Sequence, residues 1–151
     1  MGTTTFSGPV RSGTLKTGET NGPNIGNARL SQFATLIQSG GGLVQSATVY
    51  IPAGARITGF TIDVLTAFDS ATSATLSIGT SAGATTYVGS VNAKTAGRAA
   101  PTLSAAQLAA MAGLTTAGAD SATVAPVVVT VTSVGAPTAG VVTVGIDYVQ
   151  Q

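Results

Sequence analysis

Apolar and polar residues alternate with a two-residue period along several stretches of this chain, and each such stretch predicts a strand with one buried face. The clearest runs from Arg56 to Phe68, with Phe60, Ile62 and Val64 on one face and Thr61 and Asp63 on the other. Further on, Val127, Val129 and Val131 oppose Val128, Thr130 and Thr132. Val142, Val144, Ile146 and Tyr148 likewise oppose Val141, Thr143, Gly145, Asp147 and Val149. Shorter runs place Leu76 and Ile78 against Thr75 and Ser77, and Val88 against Tyr87 and Gly89. From Arg29 to Gln38 the alternation is looser: Leu30, Ala34 and Leu36 share one parity, Phe33 and Ile37 the other.

Turn chemistry separates these runs. Ser39-Gly40-Gly41-Gly42 is followed by an extended run from Leu43 to Ile51, which predicts a hairpin around the glycines. Pro52-Ala53-Gly54-Ala55 suits a tight turn, with Pro at its first corner and Gly at its second. Asp69–Ser73, Thr80–Ala84 and Gly135–Gly140 are polar or small-residue turns.

One segment, at about 104–112, breaks the two-residue period. Ser104 and Gln107 have the spacing of a capping box before an Ala-rich stretch, and Gly113 follows as a stop. In that helix Leu108 and Met111, with Leu103 or Leu114 nearby, are expected to lie against a sheet. Seven or eight strands with turns at intervals of about ten residues predict an all-β fold, an antiparallel β-sandwich or jelly roll with one short helix. That domain spans 29–151. Residues 1–28, rich in Gly, Thr and Pro with Phe6, Val10, Leu15 and Ile25 as isolated apolar pegs, are expected to form an extended N-terminal arm; it is either a frayed terminus or, as the pegs favour, an arm that orders across a neighbouring subunit.

Composition narrows the function classes. Of 151 residues, 44% are apolar but only 7% are charged, where soluble domains carry about 25%. A surface so poor in charge is expected to be covered partly by other protein. Arg11, Lys16, Arg29, Arg56, Lys94 and Arg98 are scattered and nearly balanced by five acidic residues, so a nucleic-acid partner is not expected. No apolar run is long enough to predict a membrane span, and the first residues lack the pattern of a secretory signal. The expectation is a protein made in the cytoplasm.

Candidate chemistry is sparse. With no His and no Cys, an imidazole-based triad and a thiolate or imidazole metal site are excluded. A glycosidase would draw its carboxylate pair from residues such as Asp63 and Asp147, more simply read as outward strand positions or partners of an Arg. Asp69 begins a turn and is expected to stabilise it rather than to ligate calcium. No phosphate-binding loop occurs. Phe60 and Tyr148 belong to apolar strand faces, while Tyr50, Tyr87 and Phe68 are open to a surface role. No catalytic residue, metal or cofactor is expected, and no enzymatic activity.

The phrases Ile51-Pro52-Ala53-Gly54-Ala55-Arg56-Ile57 and Val64 through Thr80 resemble those of head decoration, or cement, proteins of tailed bacteriophages. So do Phe6–Gly13, Val91–Arg98, the Ala-rich helix and the β-rich stretch Val142–Val149. The resemblance runs from about Phe6 to Tyr148. It implies a compact β-sandwich module on the capsid exterior, a homotrimer that clamps neighbouring major capsid protein subunits, and no active site. On that reading Phe6, Val10, Arg11, Leu15 and Lys16 are arm contacts to the capsid, and Arg56 and Arg98 are candidates for salt bridges between subunits. The competing expectation is a fibre or adhesin-type module that recognises host glycan.

Overall fold

The computed structural model describes residues 29–116 and 124–150. Eight strands and one helix follow in the order β1 (Arg29–Gln38), β2 (Val44–Pro52), β3 (Ala55–Thr66), β4 (Ser73–Gly79), β5 (Val88–Asn92), β6 (Gly97–Ala99), α1 (Ala105–Ala112), β7 (Val124–Val134) and β8 (Gly140–Gln150). They form two four-stranded sheets, β1-β8-β3-β6 and β2-β7-β4-β5.

Every ladder is antiparallel, and the pairing has a simple rule. The outermost strands in the chain pair with each other, β1 with β8; then β2 pairs with β7, β3 with β6 and β4 with β5. The chain thus resembles one long hairpin rolled up until β3 also meets β8 and β4 meets β7. That is the jelly-roll arrangement of an all-β sandwich.

Rolling explains where the expected β1–β2 hairpin fails. Gly40–Gly42 does reverse the chain, but β2 enters the opposite sheet, so β1 and β2 face each other across the interior instead of sharing a ladder. The Gln38 side chain fastens this crossing: the two N–H groups of its Nε2 are shared among the Gly40, Gly42 and Pro137 carbonyls. Pro52–Ala55 likewise turns between sheets, with Gly54 at φ +81° supplying a conformation other residues rarely adopt.

The core comes from the inward parity of each strand. Ile51, Ile62, Leu76, Ile78, Val127, Val129, Val142, Val144 and Ile146 are fully enclosed, as the alternation anticipates. Phe60 is part-buried, its ring centroid 6.2 Å from that of Tyr87, and Tyr148 and Phe68 are buried. Burial pushes the Tyr87 phenol above its ordinary pKa.

Two outward residues of β7 are also buried. The Thr80–Thr86 connection folds over the outer face of its sheet, and Gly83 N–H donates to Thr130 Oγ1 at 3.0 Å, enclosing Thr130 and Val128. Gly79 permits this, because a Cβ there would stand 2.6 Å from Ala84. Tyr87 and Val88 are both buried, an irregularity that accompanies the register shift between β4 and β5.

Helix α1 starts at the expected cap: Gln107 N–H donates to Ser104 Oγ and Ser104 N–H to Gln107 Oε1. Met111 and Leu103 pack on the core, but Leu108 and Leu114 are exposed. Only one edge of so short a helix reaches the sheet, and Leu108 falls outside it.

Candidate interaction surface

The sandwich has two unlike sides. On one, the sheets end in β6 and β5, strands of 3 and 5 residues carrying or flanked by Arg98, Asn92 and Lys94. On the other they end in β1 and β2, of 10 and 9 residues, whose one charged side chain is Arg29 at the start of β1. Natural sheets protect edges by shortness, charge, Pro or bulges. The β6/β5 side has shortness and charge. The β1/β2 side is long and has only Arg29 at one end of β1 and Pro52 at the last position of β2.

Exposed apolar side chains gather on that open side. Of ten large ones among the described residues, Leu30, Phe33, Ile37, Leu43, Val44 and Tyr50 lie on β1, β2 or their connection. Phe33 and Ile37 are 67% and 62% exposed and project from the outer face of β1. Across the ladder Phe33 pairs with Gly145 and Ile37 with Val141, and beyond Val141 a register shift in β3 leaves both Leu65 and Thr66 exposed. An apolar strip therefore crosses one end of the first sheet. The sequence put Phe33 and Ile37 on one parity but did not say which parity is buried; their exposure, like that of Leu43, Val44, Tyr50 and Leu65, depends on which strands become edges.

The outer face of the first sheet also holds its charges. Asp63 and Arg98 are directly opposed on β3 and β6, with Nε to Oδ1 at 2.8 Å and Nη2 to Oδ2 at 2.9 Å. The Arg98 hydrogen bonds hold the Asp63 carboxyl below its usual range, and the same pair raises the Arg98 pKa. Asp147 accepts from Ser31 Oγ. Asp147 pairs with Gly59, four positions along β3 from Asp63, which separates the two backbones by about 14 Å, and the two carboxyls are engaged on opposite sides, by Ser31 on β1 and Arg98 on β6.

Arg29 and Arg56 flank Val149 in one cross-strand row, and Arg29 Nε donates to Thr58 Oγ1 at 3.3 Å. Beside them Arg56, Thr58, Leu108, Met111 and Val149 line a shallow groove of about 530 Å³ between α1 and the first sheet. Of the residues expected to contact other subunits, then, Arg56 is exposed on this rim and Arg98 is exposed but engaged by Asp63. Phe6, Val10, Arg11, Leu15 and Lys16 lie outside the described residues.

Asp69 is a structural carboxylate. Its oxygens accept from Thr138 N–H at 2.7 Å, Thr138 Oγ1 at 2.6 Å and Ala139 N–H at 3.0 Å, tying the β3–β4 and β7–β8 connections together. Those bonds, Ala139 first, lower its pKa. Among the described residues no three His, Cys, Asp or Glu side chains cluster as a metal site requires, and no helix is long and apolar enough to cross a membrane.

The described aromatics offer no joint stacking platform. Phe60 is part-buried, and Phe68, Tyr87 and Tyr148 are buried. Phe33 and Tyr50 are exposed, but they project from the outer faces of different sheets.

The geometry defines an all-β jelly-roll module with one protected and one open side. No protein-family model matches the chain, and no curated protein matches it. Among solved structures it is similar to a chain of the "Cyanophage Pam1 capsid asymmetric unit", with a TM-score of 0.56 and 20% sequence identity over 94% of this chain and 100% of that one. The likeness is one of fold.

Proposed function

We propose that this protein is a non-enzymatic structural component of a phage virion. It binds the outer surface of the capsid and stabilises contacts between neighbouring major capsid protein subunits. The observation that carries the reading is the fold shared, along nearly the whole chain, with a chain from a phage capsid assembly. The open β1/β2 side and the 7% charge content support it, since both suit a molecule that is partly covered by other protein. Backbone pairing at the free β2 edge gives affinity without elaborate side chains. Many copies engaged at once would convert modest single contacts into firm retention. In this reading the protein assembles as a homotrimer, and residues 1–28 reach over adjacent capsid subunits.

The test is binding of purified protein to phage heads prepared without it. Saturation at a fixed number of sites per head, with heads more resistant to heat or osmotic shock, is the expected result. Binding to host cells or glycans in place of heads would overturn the proposal and favour an adhesin. Deleting residues 1–28 should weaken retention on heads.

A further inference from the structure

We infer that β1 is a self-association strand: two copies of the chain pair their β1 edges antiparallel about a two-fold axis at Thr35, joining the two β1-β8-β3-β6 sheets into one. The pairing goes beyond the capsid reading and does not depend on it, because it follows from the strand itself.

β1 is ten residues long, has a free side among the described residues, and carries no Pro, no Lys and no acidic residue. Its pairing to β8 is regular, residue for residue, from Arg29 to Gln38, without the bulge that would spoil a second ladder. Such an edge is a template for another strand.

The sequence of β1 selects both the partner and the register. In an extended sheet, directly opposed residues share a face, so outward residues of β1 must meet outward residues. A two-fold axis at Phe33 would set Arg29 against Ile37 of the other copy. An axis at Ala34 would set Ile37 against Ser31. An axis at Thr35 sets Phe33 against Ile37 twice, Thr35 against Thr35, and on the inward face Ala34 against Leu36 twice. Aromatic with β-branched and Thr with Thr are favourable cross-strand pairs. Arg29, the strand's one charge, then falls beyond the end of the opposing strand, so no like charges meet. Apolar residues face apolar residues on both sides of the sheet, which is the self-complementarity an isologous contact demands. A three-fold ring of copies would use other surfaces, and β1 pairing would then link one ring to the next.

The natural absence of cysteine makes the test direct. Thr35→Cys in the full chain, oxidised with glutathione disulfide, places two thiols across the proposed axis. Thr61→Cys serves as control, because Thr61 lies on the same outer face two strands in from the edge. Covalent dimer should form at least about ten-fold faster from Thr35→Cys, as the local thiol concentration is raised by pairing. Equal rates, or faster coupling of Phe33→Cys than of Thr35→Cys, would overturn the pairing. In parallel, Phe33→Arg should abolish the β1-dependent step of association by light scattering, dimer to monomer or linked rings to single rings, while the thermal melt stays cooperative; an unchanged mass would overturn the pairing. If that variant does not fold, Ile37→Arg reads the same contact. Wild-type protein that is monomeric at about millimolar concentration, where even weak interfaces associate, would also sink the inference.

Discussion

The ring of Phe33 lies across Gly145 on the neighbouring strand, so that a Cβ at position 145 would stand 2.9 Å from Phe33 Cε1. The glycine leaves backbone that a side chain would normally shield, and the aromatic ring from the edge strand covers it. Phe33 remains mostly exposed on its other side. One residue thus seals the first sheet and presents an apolar surface beyond it.

Gly145→Ala should be nearly neutral for stability, within about 1 kcal/mol, because the exposed Phe33 ring can swing aside. Gly140→Ala should not. There the added Cβ meets the Phe68 ring at 2.5 Å, and Phe68 is buried with no room to yield. A loss of about 1–3 kcal/mol is expected. Denaturant midpoints of the two variants, measured side by side, check the contrast.

Gln38→Ala should destabilise the protein by about 1–3 kcal/mol, since it leaves the Gly40, Gly42 and Pro137 carbonyls without the buried amide that serves them. The measurement is a chemical melt. Hydrogen exchange should show the loss concentrated at the β1–β2 crossing.

Acid should weaken the contact that Asp69 makes. Its folded-state pKa is lowered by the bonds from Ala139 and Thr138, so it contributes stability that is fully present above its unfolded value of about 3.9 and is lost as pH falls through the lower folded value. The Asp63 carboxyl, lowered by Arg98, has the same sign. Asp69→Asn should therefore be less stable than wild type at pH 7, and the gap should narrow as the pH falls below about 3.9. A gap that persists unchanged in acid would show that the carboxylate charge is not what holds the two connections.

Ser104→Ala removes the side-chain half of the capping box and should cost about 1 kcal/mol, read from the thermal or denaturant midpoint. Ser104→Asp should recover most of that loss.

Strand parity made much of the core legible. Val127, Val129 and Val131 turn inward as their spacing requires, and Ser104 with Gln107 marks the start of α1. Layer changes were not legible. Glycines at 40–42 say that the chain reverses, but they do not say whether the next strand continues the same sheet or crosses to the other; that is decided by distant partners such as Val141 to Val149 on β8. For the same reason β6, which is 3 residues long, was not foreseen, nor was the burial of Val128 and Thr130 beneath the Thr80–Thr86 connection. The candidate surface was not legible: Leu30, Ala34 and Leu36 stood on one parity and Phe33 and Ile37 on the other, and only the topology shows which parity is buried and that the strand ends a sheet.

The placement of β8 has a consequence for biogenesis. Among the described strands it is the last to leave the ribosome, yet it lies between β1 and β3, and its ladder with β1 reaches back more than a hundred positions. A nascent chain lacking it has a split first sheet and no place for β1 to dock, so the native first sheet must wait until β8 has been made. Contacts of such long range also make folding slow. The exposed edge described above therefore exists only once β8 is in place, and a product that stops short of β8 has no properly formed surface with which to enter an assembly.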